Sequence, residues 1–211
     1  MISAIVFDAF GTVVRIRQRT NPYIALIREG RRQGVAISPG STSLAMTTNL
    51  SFDELASRLG IELSSSKREE LNRDLERELS SIERYPDAVE AVSRLQNAGI
   101  KVGIGSNLSA PYGPVVKSLF PQMDGYAFSY QLGVMKPHPA IYHSICNQMN
   151  VEPGHLFRDG VGRVLMIGDS PRCDRDGPRA AGILGFHLDR SGNGGFHQLD
   201  EFAQLVIENS L

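Results

Sequence analysis

The sequence predicts a doubly wound, mostly parallel α/β sheet with a small all-helical domain inserted after its first strand. Three observations carry that prediction. Short apolar runs recur between amphipathic stretches of helical period, the rhythm of parallel strands joined by crossover helices. Polar residues, Asp8, Ser106 and Asp169, stand at the ends of three of those runs. From about residue 15 to residue 85 the rhythm breaks, and apolar residues at helical spacing in a strongly charged stretch replace it.

The first strand is the run Ala4-Ile5-Val6-Phe7, closed by Asp8 and then Gly11-Thr12. A buried strand ending in a carboxylate sets a nucleophile or metal ligand at the carboxyl edge of the sheet, where open α/β folds keep their chemistry. Residues 15–85 follow, with stripes at Phe52, Leu55 and Leu59 and at Leu71, Leu75 and Leu79. This block is predicted to be a helical cap domain, and residues 1–14 and 86–211 the α/β core. An insertion placed there lies above Asp8, where it can close on a substrate and exclude water.

The strand–helix rhythm resumes at Tyr85-Pro86-Asp87. Residues 87–98 carry Val89, Val92 and Leu95 and stop at Gly99, a helix end that leads into a strand over 100–105. A short strand is predicted over 126–130, a helix over 138–150, a strand over 164–167, a helix over 175–181, a strand over 183–188 and a last helix over 198–208. The glycine-rich stretch 191–195 reads as a flexible loop.

Composition narrows the function. The chain of 211 residues is 41% hydrophobic with a net charge of −1, enough for one core plus an accessory domain and without a basic field for nucleic acid. A small-molecule partner is expected, and no membrane. Cys146 and Cys173 lack paired or metal-type spacing, which fits a reducing compartment. The opening residues carry no basic leader and Asp8 interrupts their apolar run, so a cytoplasmic location is predicted.

Four anchors carry the chemistry. Asp8 is the first. Ser106-Asn107, after the strand over 100–105, is the second, and Lys136, pinned before Pro137-His138-Pro139, is the third, a cation able to point at an anion. Asp169, after Leu165-Met166-Ile167-Gly168, forms the fourth with Asp174. Two carboxylates five residues apart across a tight turn at a strand end suit a hard divalent cation such as Mg²⁺. Six arginines, Arg15, Arg17, Arg19, Arg28, Arg31 and Arg32, face one acid, Glu29, at the start of the helical block. They make a local positive field suited to a phosphate or carboxylate.

Asp8-Ala9-Phe10-Gly11-Thr12 resembles the Asp-x-Asp-Gly-Thr signature of the haloacid dehalogenase (HAD) superfamily, and the four anchors follow in the order and contexts seen there. The resemblance spans essentially the whole chain and implies a Rossmann-like core. It implies Asp8 as nucleophile, Ser106, Asn107 and Lys136 holding the transferring group, and Asp8, the Phe10 carbonyl, Asp169 and Asp174 as Mg²⁺ ligands. Phe10 departs from the pattern, because phosphatases of the superfamily carry there an Asp that protonates the leaving oxygen. Haloacid dehalogenases have an aromatic at that place, yet they are expected to lack the first carboxylate of the fourth motif, which this chain retains as Asp169. The expected activity is Mg²⁺-dependent hydrolysis of a small phosphorylated metabolite. The alternatives are a dehalogenase-like hydrolase acting at carbon and a catalytically weak protein that binds a metabolite or regulates.

Overall fold

The computed structural model describes residues 1–154, 163–192 and 195–210. The chain opens with β1 (Ile2–Phe7) and β2 (Val14–Ile16). It then runs through α1 (Pro22–Arg32), α2 (Pro39–Thr47), α3 (Phe52–Arg58) and α4 (Ser65–Ser80), and returns through β3 (Ile82–Arg84). Beyond it follow α5 (Pro86–Asn97), β4 (Lys101–Ser106), α6 (Tyr112–Leu119), β5 (Gly125–Phe128), α7 (Ser129–Leu132) and α8 (Pro139–Gln148). The last elements are β6 (Arg163–Gly168), β7 (Leu184–His187) and α9 (Leu199–Glu208).

The principal sheet has five parallel strands in the order β5-β4-β1-β6-β7 among the described residues. β1 is central because its run Ala4-Ile5-Val6-Phe7 is apolar and can be buried on both faces. Its alternate side chains divide the core. Ile5 and Phe7 join Val102, Ile104, Leu165 and Ile167 on the face covered by α5 and α9. Ala4 and Val6 join Val164 and Met166 beneath Ile141, Tyr142 and Ile145 of α8. The fully buried Ile5, Phe7 and Ile104 each contribute roughly 1.5–3 kcal/mol by leaving water.

Register then positions the chemistry. Phe7 lies opposite Ile104 of β4 and Ile167 of β6, and Asp8 N donates to the Ile167 carbonyl at 3.0 Å. The ends of these strands therefore bring Asp8, Ser106 and Asp169 to one edge of the sheet.

The structure departs from the sequence prediction in four places, the first being α6, a helix where the sequence predicts no element. The 15–85 block is not wholly helical: β2 and β3 pair antiparallel, Val14 opposite Arg84 and Ile16 opposite Ile82, where the chain leaves for the helices and returns. The strand expected over 126–130 ends at Phe128, because the buried Ser129 Oγ accepts from Leu108 N at 3.0 Å and starts α7. The helix expected over 175–181 is a wide π turn, Pro171–Asp176, followed by a 3₁₀ turn, Gly177–Ala181. The wide turn carries Asp174 inward, where its Oδ2 accepts from Ser170 N at 2.9 Å. Part of the predicted loop over 191–195 lies outside the described residues.

Candidate active site

Asp8, Lys136 and Asp174 form a buried ionic centre at the sheet edge. Lys136 Nζ donates to Asp8 Oδ1 at 2.6 Å and to Asp174 Oδ1 at 2.7 Å, with its side chain 2% exposed. Burial pulls the pKa of the Lys136 ammonium down, but the Asp8 and Asp174 charges outweigh that and hold it above its ordinary value. The lysine is therefore a fixed cation, locked in one geometry by two carboxylates.

Asn107 sets where that lysine stands. Lys136 N donates to Asn107 Oδ1 at 2.7 Å, and Asn107 Nδ2 donates back to the Lys136 carbonyl at 3.0 Å. Both ends of the amide are thus engaged with the Lys136 backbone, ahead of the helix that His138 caps through its Nδ1. Ser106 is buried at the end of β4 beside this pair. On the other side, Tyr142 Oη donates to the Cys173 carbonyl at 2.6 Å and steadies the turn that carries Asp174.

Asp169 completes an acidic cluster, in which Asp8, Asp169 and Asp174 bring carboxylate oxygens within 4.8 Å of one another. Asp169 is the member open to solvent, yet the protein around it desolvates its carboxyl and, with Asp8 and Asp174 adding their charges, pushes it up to about 6. Three carboxylates facing one ammonium leave negative charge uncompensated. An all-oxygen donor set of this charge fits a hard divalent cation.

Two glycines make the cluster possible. A Cβ on Gly168 would lie 2.3 Å from Asp174 Oδ2 and 2.7 Å from the Asp8 Cβ. A Cβ on Gly11 would lie 2.1 Å from Asp169 Oδ2, and Gly11 also has a φ of +79°.

A family model described as haloacid dehalogenase-like hydrolase matches residues 2–182. The chain belongs to that family. Among relatives, a phosphatase from Mycobacterium tuberculosis (strain CDC 1551 / Oshkosh) is 28% identical over 208 residues, covering 90% of this chain and 89% of that protein. Solved structures share the fold. A HAD phosphatase from Thermococcus onnurineus superposes with a TM-score of 0.65 at 21% identity, covering 97% of this chain and 98% of that one. A 2-haloacid dehalogenase from Pseudomonas syringae pv. Tomato DC3000 superposes with a TM-score of 0.67 at 15% identity, covering 99% of each chain.

Phe10 stands two residues after Asp8. It lies in the turn after Asp8, half-buried, with its ring edge-on to Tyr112 at 5.7 Å between centroids. Its side chain offers no proton. Phe10 instead forms part of the wall of a cavity of about 470 Å³ between the α1–α4 helices and the sheet edge. Tyr23, Leu26, Met46, Leu55 and Leu108 supply apolar wall, and Asn107 links it to the ionic centre.

Two residues that motif reading passed over organise the surroundings. Arg190 Nε and Nη2 donate to the Gly11 and Thr12 carbonyls at 3.2 and 2.7 Å, and its Nη1 pairs with Asp87 at 3.0 Å. The same guanidinium lies 3.8 Å from the Tyr85 ring centroid. Arg190 thereby ties the turn after Asp8 to the point where the chain re-enters the core. Glu78 is the second: the helical stripe expected through Leu71, Leu75 and Leu79 also turns this carboxylate inward, 5% exposed. It accepts from Thr20 N at 2.8 Å, Asn21 N at 2.7 Å and Tyr112 Oη at 2.9 Å. Its only sequence signal is an acid next to an apolar stripe, which ordinarily marks a solvated face.

Proposed function

We propose that the protein is a Mg²⁺-dependent phosphohydrolase acting on a small phosphorylated metabolite through an aspartyl phosphate at Asp8. The acidic cluster carries this reading: Asp8, Asp169 and Asp174 converge within 4.8 Å, a donor set that hydrolysis at phosphorus uses and halide displacement at carbon does not need. Asp8, Asp169, Asp174 and the Phe10 carbonyl would hold Mg²⁺. Once bound, the ion would neutralise the phosphate and offset its repulsion of the nucleophile.

The chain's own residues do the rest. Lys136 holds Asp8 Oδ1, orienting the carboxylate and adding positive charge beside the transferring group. Ser106 and Asn107 border the phosphoryl site from the end of β4, Asn107 chiefly by setting the Lys136 backbone. The Asp8 carboxylate attacks phosphorus and the bond to the leaving oxygen breaks. Water then attacks the phosphorus of the acyl phosphate, releasing inorganic phosphate and restoring Asp8. Because Phe10 offers no proton, the leaving oxygen departs as an anion or takes a proton from water or from an acid of the helical block. Substrates with good leaving groups, such as aryl and acyl phosphates, are favoured. The α1–α4 block serves as the cap that encloses the substrate.

A second reading, displacement of halide from carbon by Asp8, draws on the aromatic Phe10. Both are tested by assaying the protein on an aryl phosphate and on a 2-haloacid, with and without Mg²⁺, alongside Asp8→Asn. Metal-dependent phosphate release that Asp8→Asn lowers by at least about 10³-fold is the expected result. Halide release without metal would overturn it in favour of the second reading.

A further inference from the structure

The six arginines at the start of the helical block divide into two groups once their partners are seen. Arg15 and Arg17 pair with Glu83, and Arg32 with Glu29. Arg19 and Arg31 make no ion pair among the described residues, and both line the cavity over Phe10. Arg28 is likewise unpaired among the described residues but lies outside the cavity wall.

The Glu78 carboxylate in the same wall offsets one of the Arg19 and Arg31 charges, and a net positive charge remains. Glu78, the acid in its wall, already accepts from Thr20 N, Asn21 N and Tyr112 Oη. The Tyr23 hydroxyl is buried without a hydrogen bond of good geometry among the described residues. Burial pushes it up to about 12, although Ser109 beside it pulls the other way, so it remains a donor. Beyond Asn21, Asn107, Ser109 and Tyr112 the remaining wall is apolar, and a hydroxyl-rich skeleton placed against that part would lose hydrogen bonds to water without replacement. A volume of about 470 Å³ accommodates a small aromatic or branched aliphatic body.

We propose that the substrate is a monophosphate ester whose apolar skeleton fills this cavity and whose far end carries a carboxylate held by Arg19 and Arg31. The proposal rests on the phosphohydrolase reading for the reaction, but its recognition element is separate. Phe10 and Asn107 border both the ionic centre and the cavity, so a phosphate at Asp8 directs the organic part toward the two arginines. Arg31 follows Arg28 by three residues on α1, so the helix presents them on adjoining positions and only packing distinguishes their duties.

The test compares 4-carboxyphenyl phosphate with 4-carbamoylphenyl phosphate, which has the same size and a neutral end, at saturating Mg²⁺. The wild-type protein is expected to favour the carboxylate in kcat/KM by about tenfold, the scale of one charge-assisted hydrogen bond. Arg19→Gln and Arg31→Gln each lower that preference about threefold, chiefly through KM, and the double variant removes it. Arg19→Lys, which keeps the charge, retains most of it, and Arg28→Gln leaves it unchanged. Comparing ratios across variants cancels the difference between the two leaving groups.

Calorimetric titration of the same two esters into Asp8→Asn reads binding apart from turnover. Hydrolysis of both esters with a preference indifferent to Arg19 and Arg31 overturns the carboxylate proposal and leaves the phosphohydrolase reading standing. Binding that depends on the two arginines, with no hydrolysis by the wild-type protein, supports the anionic-end site and overturns the phosphohydrolase reading. Neither binding nor hydrolysis overturns both.

Discussion

The sheet edge and the cavity above it are built on opposite principles. At the edge, Lys136 is fixed by Asp8 and Asp174, its backbone by Asn107, and Asp174 by Ser170 N. In the cavity, a mostly apolar wall carries the Tyr23 hydroxyl together with Arg19 and Arg31, which make no ion pair among the described residues. The first arrangement is preorganised, so under the proposed phosphohydrolase function the charges that would act on a phosphate need not be assembled when it arrives. The second leaves interactions open for a ligand to satisfy. Under that proposal, chemistry and selection would occupy adjoining regions that meet at Phe10 and Asn107.

The largest expected effect comes from breaking the ionic centre. Lys136→Met removes the cation between two buried carboxylates and is predicted to cost about 3–5 kcal/mol of stability, because a broken buried pair leaves uncompensated charge. Urea unfolding measures this, and phosphate release should fall below detection in the same variant. A loss under about 1 kcal/mol would show that the edge is not held together as its geometry indicates.

Gly168→Ala sharpens the comparison by moving the cluster without changing its charges. The added methyl meets Asp174 Oδ2 and the Asp8 Cβ at distances no real contact tolerates. A loss of about 1–3 kcal/mol in stability is expected from overpacking, and about 10²-fold in kcat from the displaced carboxylates. The equivalent crowding test in the cavity wall, Ala45→Val, should alter KM across substrates while sparing the unfolding midpoint.

Arg190→Gln addresses the join between core and helical block. Losing its charge-assisted bonds to Asp87 and to the Gly11 and Thr12 carbonyls should cost about 1.5–3 kcal/mol. Faster amide hydrogen exchange at residues 11–14 would locate the loosening there. Glu78→Gln is the mildest change, since the amide keeps one acceptor oxygen for the Thr20 and Asn21 amides. A loss of about 1–2 kcal/mol is expected, read as a lowered melting temperature, with a larger change in KM than in kcat.

Much of the site was legible because its anchors are local. Asp8, Ser106 and Asp169 stand at or just past the ends of apolar runs, and parallel strands joined by crossover helices must bring such ends to one edge. The α5 helix was equally legible from Val89, Val92 and Leu95 before Gly99, with Ala88 and Ala91 completing its buried face. The turn carrying Asp174 was not: ordinary helical period predicted a helix over 175–181, whereas ties to Lys136 and Ser170 opened a π turn.

The sequence by itself determined the five strands of the principal sheet, most of the helices between them, the four candidate anchors and a mostly helical block between the first two. These follow from side-chain periodicity and turn chemistry, which act over a few residues. Only the tertiary structure decided which arginines are spent on Glu83 and Glu29 and which face the cavity, that Arg190 holds carbonyls 178 and 179 residues away, and that Glu78 turns inward to meet Tyr112. Those partnerships join residues distant along the chain, and a charged side chain finds its partner only once folding has brought the two into reach.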